Sequence, residues 1–165
     1  MQRLRRAERL GLSYRDYTAA LMDTGSSLSV ALLPLHHLID LDLRHDGSFS
    51  LREDEAVAAH LRSFDGRLFL VIDEAATGSM DARARRRLAA LLGERFGSHV
   101  EGLLALSFRL QDSERMRAAR LNRLLKAKGL LRKECFWLGR TRSELQLAQQ
   151  AGLGFFKSLL GWFAG

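Results

Sequence analysis

The sequence predicts an all-α protein, a helical bundle built on two EF-hand-like helix-loop-helix repeats, and three observations lead to this prediction. The chain of 165 residues is 47% apolar and contains a single proline, so an ordinary core without frequent helix breaks is expected. Leu, Ala and Arg are abundant, and these side chains lose little rotamer freedom in a helix. A segment also occurs twice, as Asp42-(x4)-Gly47-Ser48-Phe49 and, 31 residues later, as Asp73-(x4)-Gly78-Ser79-Met80. A repeat this short is typical of one supersecondary unit.

The N-terminal third predicts three helices. Residues 3–10 and 13–22 form two short helices that Gly11 separates, and the Ser13 hydroxyl can cap the second by accepting from its first-turn amides. Residues 28–43 are largely apolar and predict a mostly buried helix that is kinked near Pro34.

The rest of the chain predicts the two repeats and further helices. The first repeat continues from loop 44–50 into a helix over 51–63, and the second begins with the apolar segment 67–76. Residues 80–96 predict a helix with Gly97 as its C-cap, and further helices are expected over 100–110 and 113–128.

An α/β fold with a β-hairpin at 38–52 is the alternative. Apolar and polar residues alternate over 38–43, Asp46-Gly47 is a hairpin signal, and Phe49 and Leu51 continue the alternation. In this alternative, 68–73 and 103–109 are buried strands. We prefer the helical interpretation because one helix-loop-helix explains both copies of the repeat.

The first loop carries the candidate metal ligands Asp42, Asp46 and Glu53. Counted as an EF-hand, the loop has carboxylates at positions one, five and twelve and glycine at position six, but Arg44 occupies position three, where an oxygen ligand is expected. Asp46 and Glu53 can instead cap helix 51–63 without any metal. The sequence therefore predicts no cofactor, with Ca²⁺ as the alternative.

The repeats resemble the TerB-like domain of tellurite-resistance proteins and of a DnaJ-type co-chaperone. The matching positions are Asp46-Gly47-Ser48-Phe49 with Glu53, and Gly78-Ser79-Met80 followed by Arg86, Leu88, Ala89 and Gly97. The resemblance covers about residues 28–110. It implies a small helical module, often near membranes, without enzymatic activity.

Charge is distributed unevenly along the chain. Residues 36–66 contain three arginines against seven acids, whereas residues 100–165 contain twelve basic residues against five acids. In the basic part, helix 113–128 carries a stripe that could bind phosphate or lipid headgroups. The stripe consists of Arg117, Arg120, Arg123 and Lys126.

The last fourteen residues are the most apolar segment outside the predicted core. We expect three parts: a helical domain over 1–140, a polar spacer over 141–151 and an amphipathic apolar tail over 152–165. An exposed patch of this kind needs a cover, which can be the domain itself, a membrane interface or a groove in a partner. The candidate contact residues in the tail are Phe155, Phe156, Leu159, Leu160, Trp162 and Phe163.

The sequence shows no catalytic constellation. Phe69 to Glu74 looks like a Walker B strand, but no Gly-Lys-Ser/Thr loop accompanies it. Cys135 has no partner motif, and no two histidines have the i, i+4 spacing of a metal-binding helix.

The predicted function is therefore that of a non-enzymatic interaction module that engages a partner protein or an anionic membrane surface. A nucleic-acid-binding protein is the alternative, and a divalent-metal-dependent nuclease is a distant one. Residues 1–6 lead into no apolar core region, so no signal peptide is predicted. We expect a cytoplasmic protein, with peripheral attachment to a membrane as a variant of this expectation.

Overall fold

A computed structural model describes residues 1–43, 49–73, 81–96, 100–106 and 111–164. These residues form an α/β fold with a five-stranded parallel sheet and a separate two-stranded hairpin. The prediction of an all-α helical bundle is wrong, and the hairpin and buried strands lie where the alternative interpretation placed them.

The described residues form seven helices and seven strands. The helices are α1 (Gln2–Arg9), α2 (Tyr14–Thr24), α3 (Leu35–Leu38), α4 (Glu55–Ser63), α5 (Ala82–Phe96), α6 (Glu114–Ala127) and α7 (Arg142–Ala151). The strands are β1 (Val30–Pro34), β2 (Ile39–Leu43), β3 (Phe49–Glu53), β4 (Arg67–Asp73), β5 (Val100–Leu106), β6 (Cys135–Gly139) and β7 (Phe155–Ser158).

The main sheet has the strand order β5-β4-β1-β6-β7, and every neighbouring pair is parallel. From β1 the chain first extends the sheet to one side through β4 and β5. It then returns to the other side of β1 and adds β6 and β7. The order therefore reverses between β1 and β6, and in open α/β sheets a crevice for ligands forms at such a switch point, outside the carboxyl ends of the strands.

Two hydrophobic clusters cover the two faces of the sheet. Successive residues of each strand alternate between them: Ala31 and Leu33 of β1 pack with α1, α2, α4 and α5, whereas Val30 and Leu32 pack with α6 and α7. The result is a three-layer sandwich in which the central strands are buried on both sides.

Burial on both faces explains why the strands resemble helices in the sequence. All five residues of β1 are buried, so the segment reads as a continuous apolar run with no alternation, and such a run does not distinguish a buried strand from a buried helix. The same reason applies to 67–76, which contains β4. The edge strand β5, within 100–110, is only partly buried, but its residues 103–106 are continuously apolar. The predicted helix over 28–43 is instead β1, the single turn α3 and β2.

Helices with one apolar stripe were predicted correctly. Those expected over 3–10, 13–22, 80–96 and 113–128 are confirmed as α1, α2, α5 and α6. The Ser13 cap is confirmed as well, since its Oγ accepts from the Asp16 amide at 3.0 Å. Helix 51–63 is shorter than predicted because β3 occupies its start, and Asp54 caps α4 by accepting from the Val57 amide.

The two copies of the repeat have different structures. The first lies on the hairpin β2-β3 and continues into α4, while the second begins at the end of β4 and continues into α5. A helix-loop-helix pair is therefore not present, and the resemblance to the all-helical TerB-like domain is wrong. Asp46, Thr77 and Gly97 lie outside the described residues.

The C-terminal segment is part of the main fold. The predicted polar spacer is helix α7, and the predicted tail supplies edge strand β7, which carries Phe155 and Phe156 and pairs with β6. Beyond it, Leu159 and Trp162 are buried, and the Trp162 indole donates to the Leu10 carbonyl at 2.9 Å.

Of the three covers considered for this segment, the structure shows the domain itself: Leu159 and Trp162 are buried, and Phe155, Phe156 and Phe163 pack partly buried against the core clusters. Phe163 contacts the His60 ring, and of the six predicted contact residues only Leu160 is fully solvent-facing, with 91% of its surface exposed. Among the described residues, no helix is long and apolar enough to cross a membrane.

Candidate functional site

A cavity lined by residues of the described part of the chain lies at the switch point of the sheet. Its volume is about 690 Å³, which falls in the range typical of small-molecule sites. Polar side chains from five elements meet an apolar wall there. The polar residues are His36, Asp40, Asp73, Arg117, Thr141, Ser143 and Glu144, and the wall includes Pro34, Val71, Trp137 and Leu147.

The turn after β1 brings two histidines to this cleft. Pro34 ends the strand, and its fixed φ of −57° leads into the single helical turn α3. Leu35 and Leu38 are buried and anchor the turn. His36 is exposed at the cleft, whereas His37 points inward and is only 6% exposed.

The turn after β6 brings in Glu144. Thr141 and Glu144 form a reciprocal capping box at the start of α7: the Thr141 hydroxyl accepts from the Glu144 amide, and the Glu144 carboxylate accepts from the Thr141 amide. Gly139 is required at the end of β6, because a Cβ atom there would lie 2.7 Å from Glu144 Oε2 and 2.9 Å from the Phe156 ring.

The Glu144 carboxylate is the most heavily hydrogen-bonded group in the cleft. His37 Nε2 lies 2.9 Å from both of its oxygens, and Trp137 Nε1 donates to Oε2 at 2.9 Å. Oε1 also accepts from the Thr141 hydroxyl at 2.9 Å and from the amides of Arg140 and Thr141, both at 3.2 Å. The carboxylate therefore ties the loop after β1 to the loop after β6.

These contacts keep Glu144 ionised. Burial raises the pKa of its carboxyl, but the hydrogen bonds from His37 and Trp137 outweigh burial and bring the pKa to about 2. An ionised acceptor at this position requires that His37 Nε2 carries a hydrogen.

His36 has the properties of a proton acceptor at neutral pH. Its pKa is lowered, first by burial of part of the ring and then by the charge of His37, while Glu144 and Asp73 act in the opposite direction. The imidazole is therefore mainly neutral near pH 7. The His36 and His37 rings are tilted against each other with centroids 4.1 Å apart.

Two arginines supply positive charge near the site. Arg117 extends from α6 to the cavity wall and is half-buried. Arg140 follows β6 and pairs with Asp54 at 3.0 Å, which joins the end of β6 to the start of α4. The guanidinium of Arg140 and the amide of Val57 both lower the pKa of Asp54, with the amide the larger cause.

Three side chains of the cleft are close enough together to be considered as metal ligands. Nitrogen atoms of His36 and His37 and an oxygen of Glu144 lie within 4.8 Å of one another. Both Glu144 oxygens, however, already accept the hydrogen bonds described above. Coordination would require the carboxylate to give up at least the bond to His37.

The predicted basic stripe is divided between different environments. Arg117 lines the cleft, Arg120 pairs with Asp112, and Arg123 and Lys126 are exposed on α6. The four residues therefore do not form one continuous surface. Phosphate binding by Arg117 stays a prediction.

The predicted metal ligands are not in one loop. Asp42 lies on β2 opposite Ser50, and Glu53 lies at the far end of β3 opposite Ile39, so the two acids are three ladder positions apart. Glu53 pairs with Arg95 and Arg62. Asp46 lies outside the described residues.

The sequence analysis missed the central groups of the site, which are His36, His37, Glu144 and the turn at Gly139. Two signals in the sequence point to these groups under an α/β interpretation, in which polar residues at strand ends are candidate site residues. One is the histidine pair directly after the apolar run of β1. The other is Gly-Arg-Thr-Arg-Ser-Glu at the end of the apolar run of β6. Cys135, which has no partner motif in the sequence, is a buried free thiol. Burial raises the pKa of its thiol to about 12.

No protein family and no curated protein matches the sequence. Several solved structures are similar at low sequence identity. A protein described as a HAD family hydrolase from Streptomyces avermitilis is 9% identical, with 79% of this chain and 71% of that chain covered and a TM-score of 0.47. A 3-deoxy-D-manno-octulosonate 8-phosphate phosphatase from Yersinia pestis is 10% identical, with coverages of 84% and 67% and a TM-score of 0.47. The phosphatase of the same name from Moraxella catarrhalis, in complex with magnesium, phosphate and KDO, is 15% identical, with coverages of 86% and 71% and a TM-score of 0.45.

The prediction of a non-enzymatic interaction module is wrong. It was based on an all-helical fold and an accessible apolar tail, and the chain has neither. A cleft with acid-base groups at a switch point is an arrangement typical of α/β enzymes.

Proposed function

We propose that the chain is an enzyme that binds a small anionic substrate in the switch-point cleft and acts on it by proton transfer through His36. The observation that carries this proposal is the cavity of about 690 Å³ in which a half-buried arginine, a largely neutral histidine and hydroxyl groups face an apolar wall. Such a mixture of a few polar groups and an apolar lining is typical of substrate pockets.

An anionic group on the substrate fits the donors of the cleft. The guanidinium of Arg117 has the fork geometry that matches a phosphate or a carboxylate. Ser143 adds a hydroxyl group to the lining, whereas the Thr141 hydroxyl donates to Glu144. The apolar wall around Trp137 and Leu147 suits the uncharged remainder of the substrate.

Phosphate monoesters are the first substrate class to test, and hydrolysis is the first reaction. In this reaction His36 takes a proton from the water that attacks phosphorus, and the leaving alkoxide takes a proton from solvent. The names of the similar structures suggest sugar phosphates, including 3-deoxy-D-manno-octulosonate 8-phosphate, for the assay. The proposal itself is based on the cleft.

A phosphate-release assay over a panel of sugar phosphates and p-nitrophenyl phosphate tests the function. We expect turnover of at least one ester and a fall in kcat of about 100-fold or more in His36→Gln, the range for loss of a general acid-base group. His60→Gln is the matched control, because His60 lies against Trp162 and Phe163 and does not line the cleft. Equal rates in wild type and His36→Gln would exclude the role of His36, and absence of both turnover and binding would refute the function.

The location and binding partners predicted from the sequence are not tested by the structure. A cytoplasmic location remains part of this proposal, since a small-molecule enzyme needs its metabolites in solution. A protein, an anionic membrane or nucleic acid as a partner stays a prediction.

A further inference from the structure

The groups that line the cleft favour direct binding of an anion over binding through a metal ion. We infer that the cleft holds the anionic group of its ligand by contacts with protein cations and hydroxyls, without a bridging divalent cation. This inference rests on the proposed function, and it concerns how the same site recognises its ligand.

Glu144 is the best-placed carboxylate of the cleft, and both of its oxygens already accept hydrogen bonds. Its two oxygens accept from His37 Nε2, Trp137 Nε1, the Thr141 hydroxyl and two backbone amides. A cation at these oxygens would replace hydrogen bonds and leave the His37 and Trp137 donors buried without an acceptor, which is unfavourable. Those donors also present their positive ends to any approaching cation.

Neither of the two strands that meet at the switch point ends in a carboxylate that could bind a metal ion. β1 ends at Pro34, which has no ligating side-chain atom, and His36 follows it. β6 ends at Gly139, and Arg140 follows with a permanent positive charge. Hard cations such as Mg²⁺ require oxygen ligands in near-octahedral geometry, and these strand ends do not supply them.

Two further carboxylates border the cleft in the described part of the chain, and neither supports Glu144 as a ligand. Asp40 lies on the hairpin strand β2, opposite Arg52 in the ladder. Asp73 ends β4 and borders the cleft. Among the described residues, the histidine and carboxylate group whose ligand atoms lie within 4.8 Å of one another contains Glu144 and neither of these two aspartates.

Positive charge on the cavity wall takes the place that a metal ion would have. Arg117 is half-buried and faces the cavity from α6. Arg140, which follows β6, is not among the lining residues, and its charge is paired with Asp54 at 3.0 Å. In a site of lowered dielectric, the Arg117 guanidinium attracts an anion and repels a divalent cation.

Two titrations of the full chain test the inference. In the first, Mg²⁺ and Zn²⁺ are each titrated alone into the protein by calorimetry, and we expect no saturable binding at millimolar concentrations. In the second, binding of inorganic phosphate is followed by NMR in Mg²⁺ and in EDTA, and we expect dissociation constants that agree within about twofold. Stoichiometric metal binding, or phosphate binding that EDTA abolishes, would overturn the inference and leave the proposed function intact. Absence of phosphate binding under both conditions would refute both.

Substitutions in α6 test whether Arg117 is the group that binds the anion in place of a metal ion. We expect Arg117→Met to weaken phosphate binding at least about tenfold, the effect of losing a charge-assisted contact. The matched control is Arg123→Met on the same helix, where the side chain is exposed and outside the cleft. If Arg117→Met does not fold, as judged by circular dichroism, Arg117→Lys keeps the charge and loses the fork, and an intermediate affinity is expected. Unchanged affinity in the folded Arg117 variant would contradict direct binding by this residue.

Discussion

Replacing Glu144 with glutamine removes the charge that joins the two loops of the cleft while keeping the size of the side chain. In the variant, His37 Nε2, Trp137 Nε1 and two amides face a group with one acceptor oxygen and one competing donor. Buried donors then lose their acceptor, so Glu144→Gln is expected to destabilise the fold.

The pKa of Glu144 gives the magnitude. Its shift from 4.5 to about 2, in a side chain only 13% exposed, corresponds to about 3 kcal/mol of stabilisation at pH 7. Because the folded-state pKa is depressed, this stabilisation is fully present above the unfolded-state value. It is lost as the pH falls from about 4.5 towards 2, where the unfolded state binds a proton that the folded state does not.

Denaturant unfolding over a range of pH checks this prediction. At pH 7 we expect Glu144→Gln to lower the free energy of unfolding by about 3 kcal/mol, and below pH 4.5 we expect the wild type to lose about 1.4 kcal/mol more per pH unit than the variant. The matched control is Glu94→Gln on the exposed side of α5, which should change stability by less than about 0.5 kcal/mol. A loss below about 1 kcal/mol at pH 7, with parallel pH curves for the two proteins, would refute the reasoning.

Three further predictions concern the surroundings of the cleft and the core. Gly139→Ala places a Cβ atom 2.7 Å from Glu144 Oε2, so we expect a loss of about 1–3 kcal/mol in denaturant unfolding and a change in Trp137 fluorescence; an unchanged midpoint would contradict it. Trp162→Ala removes a side chain that is 1% exposed and should cost about 3–5 kcal/mol, whereas a truly separate tail would tolerate the change. Cys135, with its pKa raised to about 12, should not react with a thiol reagent at pH 8 until the protein is unfolded, and rapid labelling of the native protein would show that the thiol is accessible.

The sequence predicts surface helices well and buried strands badly, for one physical reason. α2, α5 and α6 each bury one stripe, so their apolar residues recur with helical spacing and their capping residues are visible. The central strands are buried on both faces and lose the alternation that would identify them. The edge strand β5 is also largely apolar, and a continuous apolar run does not distinguish a strand from a helix.

The prediction of two helix-loop-helix units was wrong because it assumed that two similar sequence segments have the same structure. The described ends of the two copies lie in different elements: Asp42 is on β2 and Phe49 on β3, whereas Asp73 ends β4. Tertiary context overrides local propensity.

The site itself could not be assembled from the sequence, because its groups meet only through the parallel sheet. His37 and Glu144 are 107 positions apart and come together because β1 and β6 are neighbours that end at the same edge. Arg117, which the sequence places in a basic helical stripe, lines the cleft, and phosphate binding by it stays a prediction.

The most direct test of the account is to map where an anion binds, using amide chemical shifts of the full chain during titration with inorganic phosphate. If the switch-point cleft is the site, the largest changes will occur at the amides of residues 35–37 and 140–144 and at Asp73, with saturation at a single affinity. Changes confined to the exposed arginines of α1 or to the outer face of α6 at Arg123 and Lys126, with no response at residues 140–144, would contradict the account.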